Sequence, residues 1–281
     1  MALLCYIDLG VKMLDVVKDL HYEDLRNELH PSYFFESDEY KMFIIRLPKI
    51  VDDKLTAYNT GFTIDQNNIY IYDKASDSLK FFSDSSLDMY NYIDKLVDDS
   101  ILILGNYIEQ FLVIEESLYS KNLSSNFMDY WFELKKDLLR IERIYLRALT
   151  MLKMFIKSYE TDEMFPKYKF LDIEEHLDRN QRDTSLILSK LDTIYNYYVT
   201  IKNDKLNNSV YILTLVSVIF LPLNLVVGFF GINTTDLFFT DTPEGSMSVI
   251  YLLLFLFIFM IILIPVSLKI YKKIFGRFLN R

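Results

Sequence analysis

The sequence predicts an α+β cytoplasmic domain, a long stalk helix and two C-terminal transmembrane helices. Three observations carry this. A quarter of the 281 residues are charged, yet mean hydropathy is slightly positive at +0.14, so the apolar residues are concentrated rather than spread through one core. Residues 210–230 and 247–268 hold no charge over 21 and 22 positions, each enough to cross a hydrocarbon layer about 30 Å thick. Residues 167–221 contain neither Gly nor Pro, so nothing there interrupts a helix that runs up to and into the first apolar run.

The elements follow in chain order. Strand-like runs are expected at 3–7, 41–47, 62–63 with 68–72, and 79–82, separated by a helical segment around 11–29 and by polar turns. Together they make a small domain over residues 1–83. Ser85 is a suitable N-cap, and a helical pattern follows it and resumes from Ser124 to about Tyr159. After a loop with Pro166, a third helix starts near Lys167. Residues 84–209 thus form a helical domain with the stalk. Residues 210–233 form the first span, 234–246 an outer acidic loop, 247–268 the second span and 269–281 a basic tail. The apolar and aromatic positions of the stalk, among them Leu186, Leu191, Ile194 and Tyr198, must pack on the two preceding helices, on copies of the stalk, or on both. A lever that carries a signal and an ordinary long helix fit this pattern equally.

Charge gives the orientation. Lys269, Lys272, Lys273, Arg277 and Arg281 follow the second span, and Lys202 and Lys205 precede the first. Between the spans there is no Lys or Arg, only Asp236, Asp241 and Glu244. The positive-inside rule places both termini in the cytoplasm and the acidic loop outside, making a multi-pass protein of the cell (inner) membrane whose partner is the lipid bilayer. The N-terminal stretch lacks a basic start and carries Asp8, so it is not expected to be a signal peptide.

Composition excludes several classes. The net charge of -9 argues against nucleic acid, which requires a basic face to release counterions. A single Cys5 offers neither an intrachain disulfide nor a zinc cluster, and a reduced lone cysteine suits the cytoplasm. No phosphate loop, nucleophile elbow or HExxH segment is present, so an enzyme is not expected.

The first span carries a polar stripe. At 100° per residue, Asn207, Val210, Thr214, Ser217, Leu221, Asn224 and Gly228 fall within an arc of about 100°. An amide such as Asn224 facing lipid would leave hydrogen bonds unmet at a cost of several kcal/mol. The stripe should therefore meet water in a pore or a neighbouring helix. Pro222 withholds an amide from the ladder, and Gly228 and Gly231 permit a break near the outer loop. The helix would end at a mouth lined by Gly231, Ile232 and Asn233.

The segment LTLVSVIFLPLNLVVGFFGIN, the two spans, the short outer loop and the long preceding helix resemble the CorA superfamily of divalent-cation transporters. Its signature is Gly-Met-Asn at the end of the first span, after an aromatic residue and an earlier Pro-Leu. Phe230-Gly231-Ile232-Asn233 and Pro222-Leu223 fill those places. The segments LHYEDLRNELHPSYFFESDEYKMFIIRLP and IKNDKLNNSVYILT resemble the family's N-terminal pattern and stalk-to-pore junction.

The resemblance implies a homopentameric funnel, with five first spans around one pore. It implies Gly231, Ile232 and Asn233 as selectivity filter, with Asn233 contacting a hydrated cation. Asn207, Thr214, Ser217, Leu221, Asn224 and Gly228 would line the pore, with Asn207 and Leu221 as constrictions. Asp236, Asp241 and Glu244 would concentrate cations at the mouth. Asp172 falls at the family's sensing aspartate, a regulatory metal ligand whose partner the sequence does not identify. No resident cofactor is implied. Mg2+, with Co2+ or Ni2+, is the expected transported and regulatory ion. Ile232 in place of Met is similar to substitutions in the ZntB branch, which makes Zn2+ the alternative. A membrane-anchored sensor or adaptor without transport is the second alternative.

Overall fold

The computed structural model describes residues 17, 19–65, 68–120, 126–231, 245 and 247–262. It divides into two units, Met1–Tyr197 and Tyr198–Arg281, which are treated separately. The expected strand at 3–7, Cys5, and most of the expected helix at 11–29 before Asp19 lie outside the described residues.

The first unit opens with α1 (Asp19–Arg26) and an antiparallel sheet of β1 (Tyr33–Glu36), β2 (Lys41–Val51), β3 (Lys54–Asp65), β4 (Asn68–Asp73) and β5 (Ser78–Ser83), ordered as in the chain. The β2–β3 register pairs Val51 with Lys54. This leaves a two-residue turn, and Asp52 and Asp53 both have positive φ, 49° and 58°, as the twist of a tight hairpin requires. Asp77 at φ 48° closes the β4–β5 connection, where the Asp73 carboxylate accepts from the Ala75 amide and the Ser76 hydroxyl.

Met42, Phe43, Ile44 and Ile45 are all buried, on both faces of β2, because the sheet is covered on both sides. On one side Met42 and Ile44 pack with Val17, Leu25 and Leu79. Gly61 of β3 makes room for α1 there: a Cβ at this position would sit 2.3 Å from Leu25 Cδ2. On the other side Phe43 stacks on Phe155 at 4.8 Å, and Phe62 meets Phe82 and Tyr92 edge-on. The expected strand at 62–63 proves to be the end of β3, and β1 was not anticipated. β1 is only four residues long, three aromatics and an acid without alternation, and Thr56, Asn59 and Thr60 interrupt the apolar pattern of β3, so neither shows a period-2 signal.

Three long helices follow, α2 (Ser86–Tyr119), α3 (Phe127–Lys157) and α4 (Lys167–Phe230). The Ser85 side chain accepts from the Leu87 amide as the N-cap of α2. Buried positions on α2 recur as Met89, Ile93, Val97, Ser100, Leu104, Tyr107 and Phe111, steps of three or four residues that keep one seam against a neighbouring helix. α3 answers with Leu134, Leu138, Ile141 and Tyr145, and α4 with Phe170, Ile173, Leu177, Thr184 and Leu191. α2 and α4 run in the same direction, since Tyr90 meets Phe170 near their starts and Tyr119 meets Tyr197 further along. α3 runs against them, with Phe155 on Phe170 and the Trp131 Nε1–H donating to the Leu191 carbonyl at 2.9 Å. The sheet is tied to the α3–α4 turn by Lys41. Its ammonium donates to the Ser158 carbonyl at 2.8 Å, pairs with Glu36 at 2.9 Å and lies 3.8 Å from the Tyr159 ring centre.

In the second unit α4 continues to Phe230, and α5 (Met247–Ile262) is a separate apolar helix. α4 is long and apolar enough to cross a membrane, and none of its most apolar window is buried. Pro222 lies inside it, where no amide is available for the Val218 carbonyl. α5 is 16 residues long, and residues 263–268 of the expected second span lie outside the described residues.

Candidate functional site

The apolar end of α4 carries the expected stripe. Asn207, Thr214, Ser217, Leu221, Asn224 and Gly228 are all helical and exposed. The hydroxyls do not need outside partners, because Thr214 Oγ1 donates to the Val210 carbonyl at 2.9 Å and Ser217 Oγ to the Leu213 carbonyl at 3.0 Å. Such bonds to the carbonyl four residues back are a common refuge for Ser and Thr in a helix. The demand for water or protein therefore falls on the amides of Asn207 and Asn224. Gly231 follows the last helical residue, and its amide donates to the Val227 carbonyl at 2.9 Å. A Cβ on Gly231 would lie 3.1 Å from that carbonyl, which makes this a tight position for any larger residue. Ile232, Asn233, Asp236, Asp241 and Glu244 lie outside the described residues.

A second constellation lies in the first unit, between α2 and α4. Asp94 and Asp98 of α2 and His176 of α4 bring ligand atoms within 4.8 Å of one another. Asp172, one turn before His176, is exposed, and its Oδ1 is 4.0 Å from His176 Nε2. The other ring nitrogen, Nδ1, is buried without a hydrogen-bond partner among the described residues. Burial, then the neighbouring Asp98 and Asp172 carboxylates, hold the Asp94 carboxyl above the usual carboxylate range, against the opposing pull of His176 and a Tyr90 hydrogen bond. The same three acids, after burial, push the Tyr90 hydroxyl up. Negative charge is thus crowded into one place, and a divalent cation would relieve it.

Sequence reasoning singled out Asp172 alone. The missed signal was a pair of carboxylates at i and i+4, Asp94 and Asp98, a spacing that puts like charges on one helix face at a cost to the helix. Asp172 and His176 repeat that spacing on α4.

The sequence profile of the CorA-like Mg2+ transporter protein family matches residues 56–269. The chain belongs to this family. CorA-like proteins are transporters rather than enzymes, and the match runs from β3 through the bundle and the described part of α5. YfjQ of Bacillus subtilis (strain 168), whose name assigns it provisionally to metal ion transport, is 27% identical over 145 residues, covering 51% of this chain. The match spans 45% of that relative's length.

The complete structure of the CorA magnesium transporter from Methanocaldococcus jannaschii superposes with a TM-score of 0.74 at 17% identity, over 88% of this chain and 82% of that one. The full-length CmaX protein gives 0.62 at 14% identity, over 89% and 81%. The soluble domain of the Methanocaldococcus jannaschii CorA gives 0.51 at 13% identity, over 64% and 78%. These likenesses establish a CorA-like fold, with a soluble α+β part and a long helix.

Proposed function

We propose that this CorA-like protein moves divalent metal cations across the cell (inner) membrane through a homopentameric pore lined by the apolar end of α4, with both termini cytoplasmic. Mg2+ is the first substrate, with Co2+ or Ni2+ alongside it. The observation that carries this is a single helix, Lys167–Phe230, that begins in the cytoplasmic bundle and ends in an unburied apolar stretch just before Gly231, within a chain matched by the family profile.

In this reading Gly231, Ile232 and Asn233 form the outer filter. Mg2+ surrenders its water reluctantly, so a ring of neutral amide oxygens from Asn233 selects by contacting the hydrated ion. Asp236, Asp241 and Glu244 raise the cation concentration at the mouth. Within the pore, Asn207, Thr214, Ser217, Asn224 and Gly228 offer polar or open surface, and Leu221 forms a hydrophobic constriction able to close by dewetting. On the cytoplasmic side, Asp172 senses the ion: bound cation bridges acids that otherwise repel and favours the closed state, and its loss releases the closure.

Ile232 in the signature favours a second reading, Zn2+ transport of the ZntB type. Purified protein in liposomes, assayed for Mg2+ and Zn2+ flux with and without a proton gradient, separates the two. Expected is Mg2+ flux that Asn233→Ala reduces by an order of magnitude or more. Absence of flux for every cation, with Asn233→Ala behaving as the parent, would overturn transport in favour of a tethered sensor. Unchanged dependence of flux on internal Mg2+ in Asp172→Asn would overturn the sensing role.

A further inference from the structure

Three arginines gather where the sheet meets α3 without a carboxylate to neutralise them. Arg46 of β2 donates from Nη1 to the Leu29 carbonyl at 2.7 Å, and Arg147 of α3 donates from Nε to the Ser32 carbonyl at 3.2 Å. Arg46 and Ser32 are themselves tied, the Arg46 amide donating to Ser32 Oγ at 2.9 Å. Arg140 lies two turns before Arg147 on the same face of α3. It is close enough to act on Arg46, whose guanidinium is held below its usual range by burial and then by the Arg140 charge. None of the three forms an ion pair among the described residues. The acids of the neighbouring segments are engaged elsewhere: Asp24 faces His30 at 3.3 Å, Glu28 pairs with Lys74 at 3.2 Å, and Asp137 accepts from the Tyr107 hydroxyl at 2.9 Å. Neutral carbonyls thus fix two of the guanidinium forks in place and leave their charge uncompensated, in a chain of net charge -9.

An independent observation lies under the same segment. Asn59, the cross-strand partner of Arg46, is only 6% exposed, and its Nδ2 donates to the Asn27 and His30 carbonyls at 3.2 and 2.7 Å. Those two bonds fix the amide's orientation, and they leave Oδ1 buried without a donor among the described residues. Arg46 Nε is likewise buried, without an acceptor. Cross-strand partners on one face have Cβ atoms about 4.5–5.5 Å apart. An unmet donor and an unmet acceptor therefore sit side by side on the sheet, and such a pair calls for a guest. The guest must accept from one and donate to the other. The acid form of a phosphate does both, whereas an ionised carboxylate or sulfate only accepts.

We propose that Arg46, Arg140 and Arg147 form a binding site for the phosphoryl group of a soluble phosphate or phosphate monoester, with Asn59 accepting from its hydroxyl. Three forks from two elements suit an oxyanion that takes several charge-assisted hydrogen bonds at once. The ligand bridges β2 to α3 and holds the 29–32 segment between them. All four residues belong to the first unit, outside the apolar stretch of α4, which points to a soluble rather than a lipid phosphate. The site goes beyond the transport reading. Binding is measured without flux, so a failed transport experiment does not touch it.

The test is equilibrium dialysis of radiolabelled inorganic phosphate against the full-length protein in maltoside detergent. Expected is one phosphate per protomer, half-saturating at or below about 1 mM. Sulfate should compete at least about tenfold more weakly, because it has no hydroxyl to offer Asn59. Arg140→Gln and Arg147→Gln should each weaken binding by about tenfold, the scale of one charge-assisted hydrogen bond. Arg182→Gln, at an arginine paired with Asp178 on α4, should not. With the unaltered chain, phosphate should slow the modification of Arg140 and Arg147 by phenylglyoxal and leave that of Arg182 unchanged, read by mass spectrometry, which keeps the test independent of how any variant folds. Absence of saturable binding, equal competition by sulfate, an equal loss in Arg182→Gln, or arginine modification that phosphate does not slow would each overturn the site. Displacement by dioctanoyl phosphatidic acid at lower concentrations than by inorganic phosphate would overturn the soluble ligand in favour of a lipid headgroup.

Discussion

The indole of Trp131 on α3 donates its Nε1 hydrogen to the backbone carbonyl of Leu191 on α4 at 2.9 Å. The ring leans against Tyr195 at 5.0 Å, with the Lys135 ammonium 4.9 Å from its centre. A helix carbonyl has two lone pairs, so this bond is added to the α4 ladder without breaking it. Trp131→Phe keeps most of the buried ring and loses the donor. It should destabilise the first unit by about 1–2 kcal/mol, measured as a shift of the far-UV circular dichroism melt.

Tyr145 is fully buried and donates its hydroxyl to the Ser100 carbonyl at 2.9 Å. Burial pushes its pKa up to about 12. Ionisation is easier in the unfolded chain, where tyrosine titrates near 10. The stabilisation is therefore complete below about pH 10 and is lost as pH rises through 12. Tyr145→Phe should cost about 1 kcal/mol at neutral pH and flatten the decline in stability between about pH 10 and 12. Denaturant titrations at a series of pH values check this. A decline just as steep in the variant would show that other groups govern it.

Asp94 gives the opposite kind of signal, in the acidic range. Its carboxyl is raised, first by burial and then by Asp98 and Asp172, so the fold favours the protonated form. Its contribution to stability is largest below the ordinary carboxylate value of about 3.9 and is lost as pH climbs through the raised folded value. Asp94→Asn should raise the melting midpoint at neutral pH in metal-free buffer, and the two melting curves should converge near pH 3.5 or below. A variant that melts lower than the parent at pH 7 would contradict this.

Gly61 and Leu25 set how closely α1 sits on the sheet. Gly61→Ala places a methyl group 2.3 Å from Leu25 Cδ2, and the strain should cost about 1–3 kcal/mol. Shortening the opposing side chain makes room, so Leu25→Ala combined with Gly61→Ala should cost less than the two single changes added together. A double-mutant cycle by chemical denaturation measures the coupling, and strict additivity would rule it out.

The long helices were legible in the sequence for physical reasons. Ser85 announced α2, and the absence of Gly and Pro over 167–221 let α4 be read as one rod. The sheet was legible at Met42–Phe43–Ile44–Ile45, where both faces are apolar, and in the short apolar and aromatic runs of β4 and β5, but not in β3 before Gly61, where Thr56, Asn59 and Thr60 interrupt the pattern. The acid–histidine cluster was half legible. The spacing of Asp94 to Asp98 and of Asp172 to His176 was in plain sight, but nothing local says that these two helix faces meet. That depends on the parallel register of α2 and α4, fixed by contacts such as Tyr90 on Phe170.

The strand order of the sheet also has a chronology. Every strand pairs with its neighbour in sequence, and the last ends at Ser83, so each pairing can close within microseconds of its residues becoming available. The apolar end of α4 is translated roughly 130 residues later, a delay of about 6–25 s at the usual pace of 5–20 residues per second. The ribosome therefore delivers all five strands of the sheet well before the apolar end of α4.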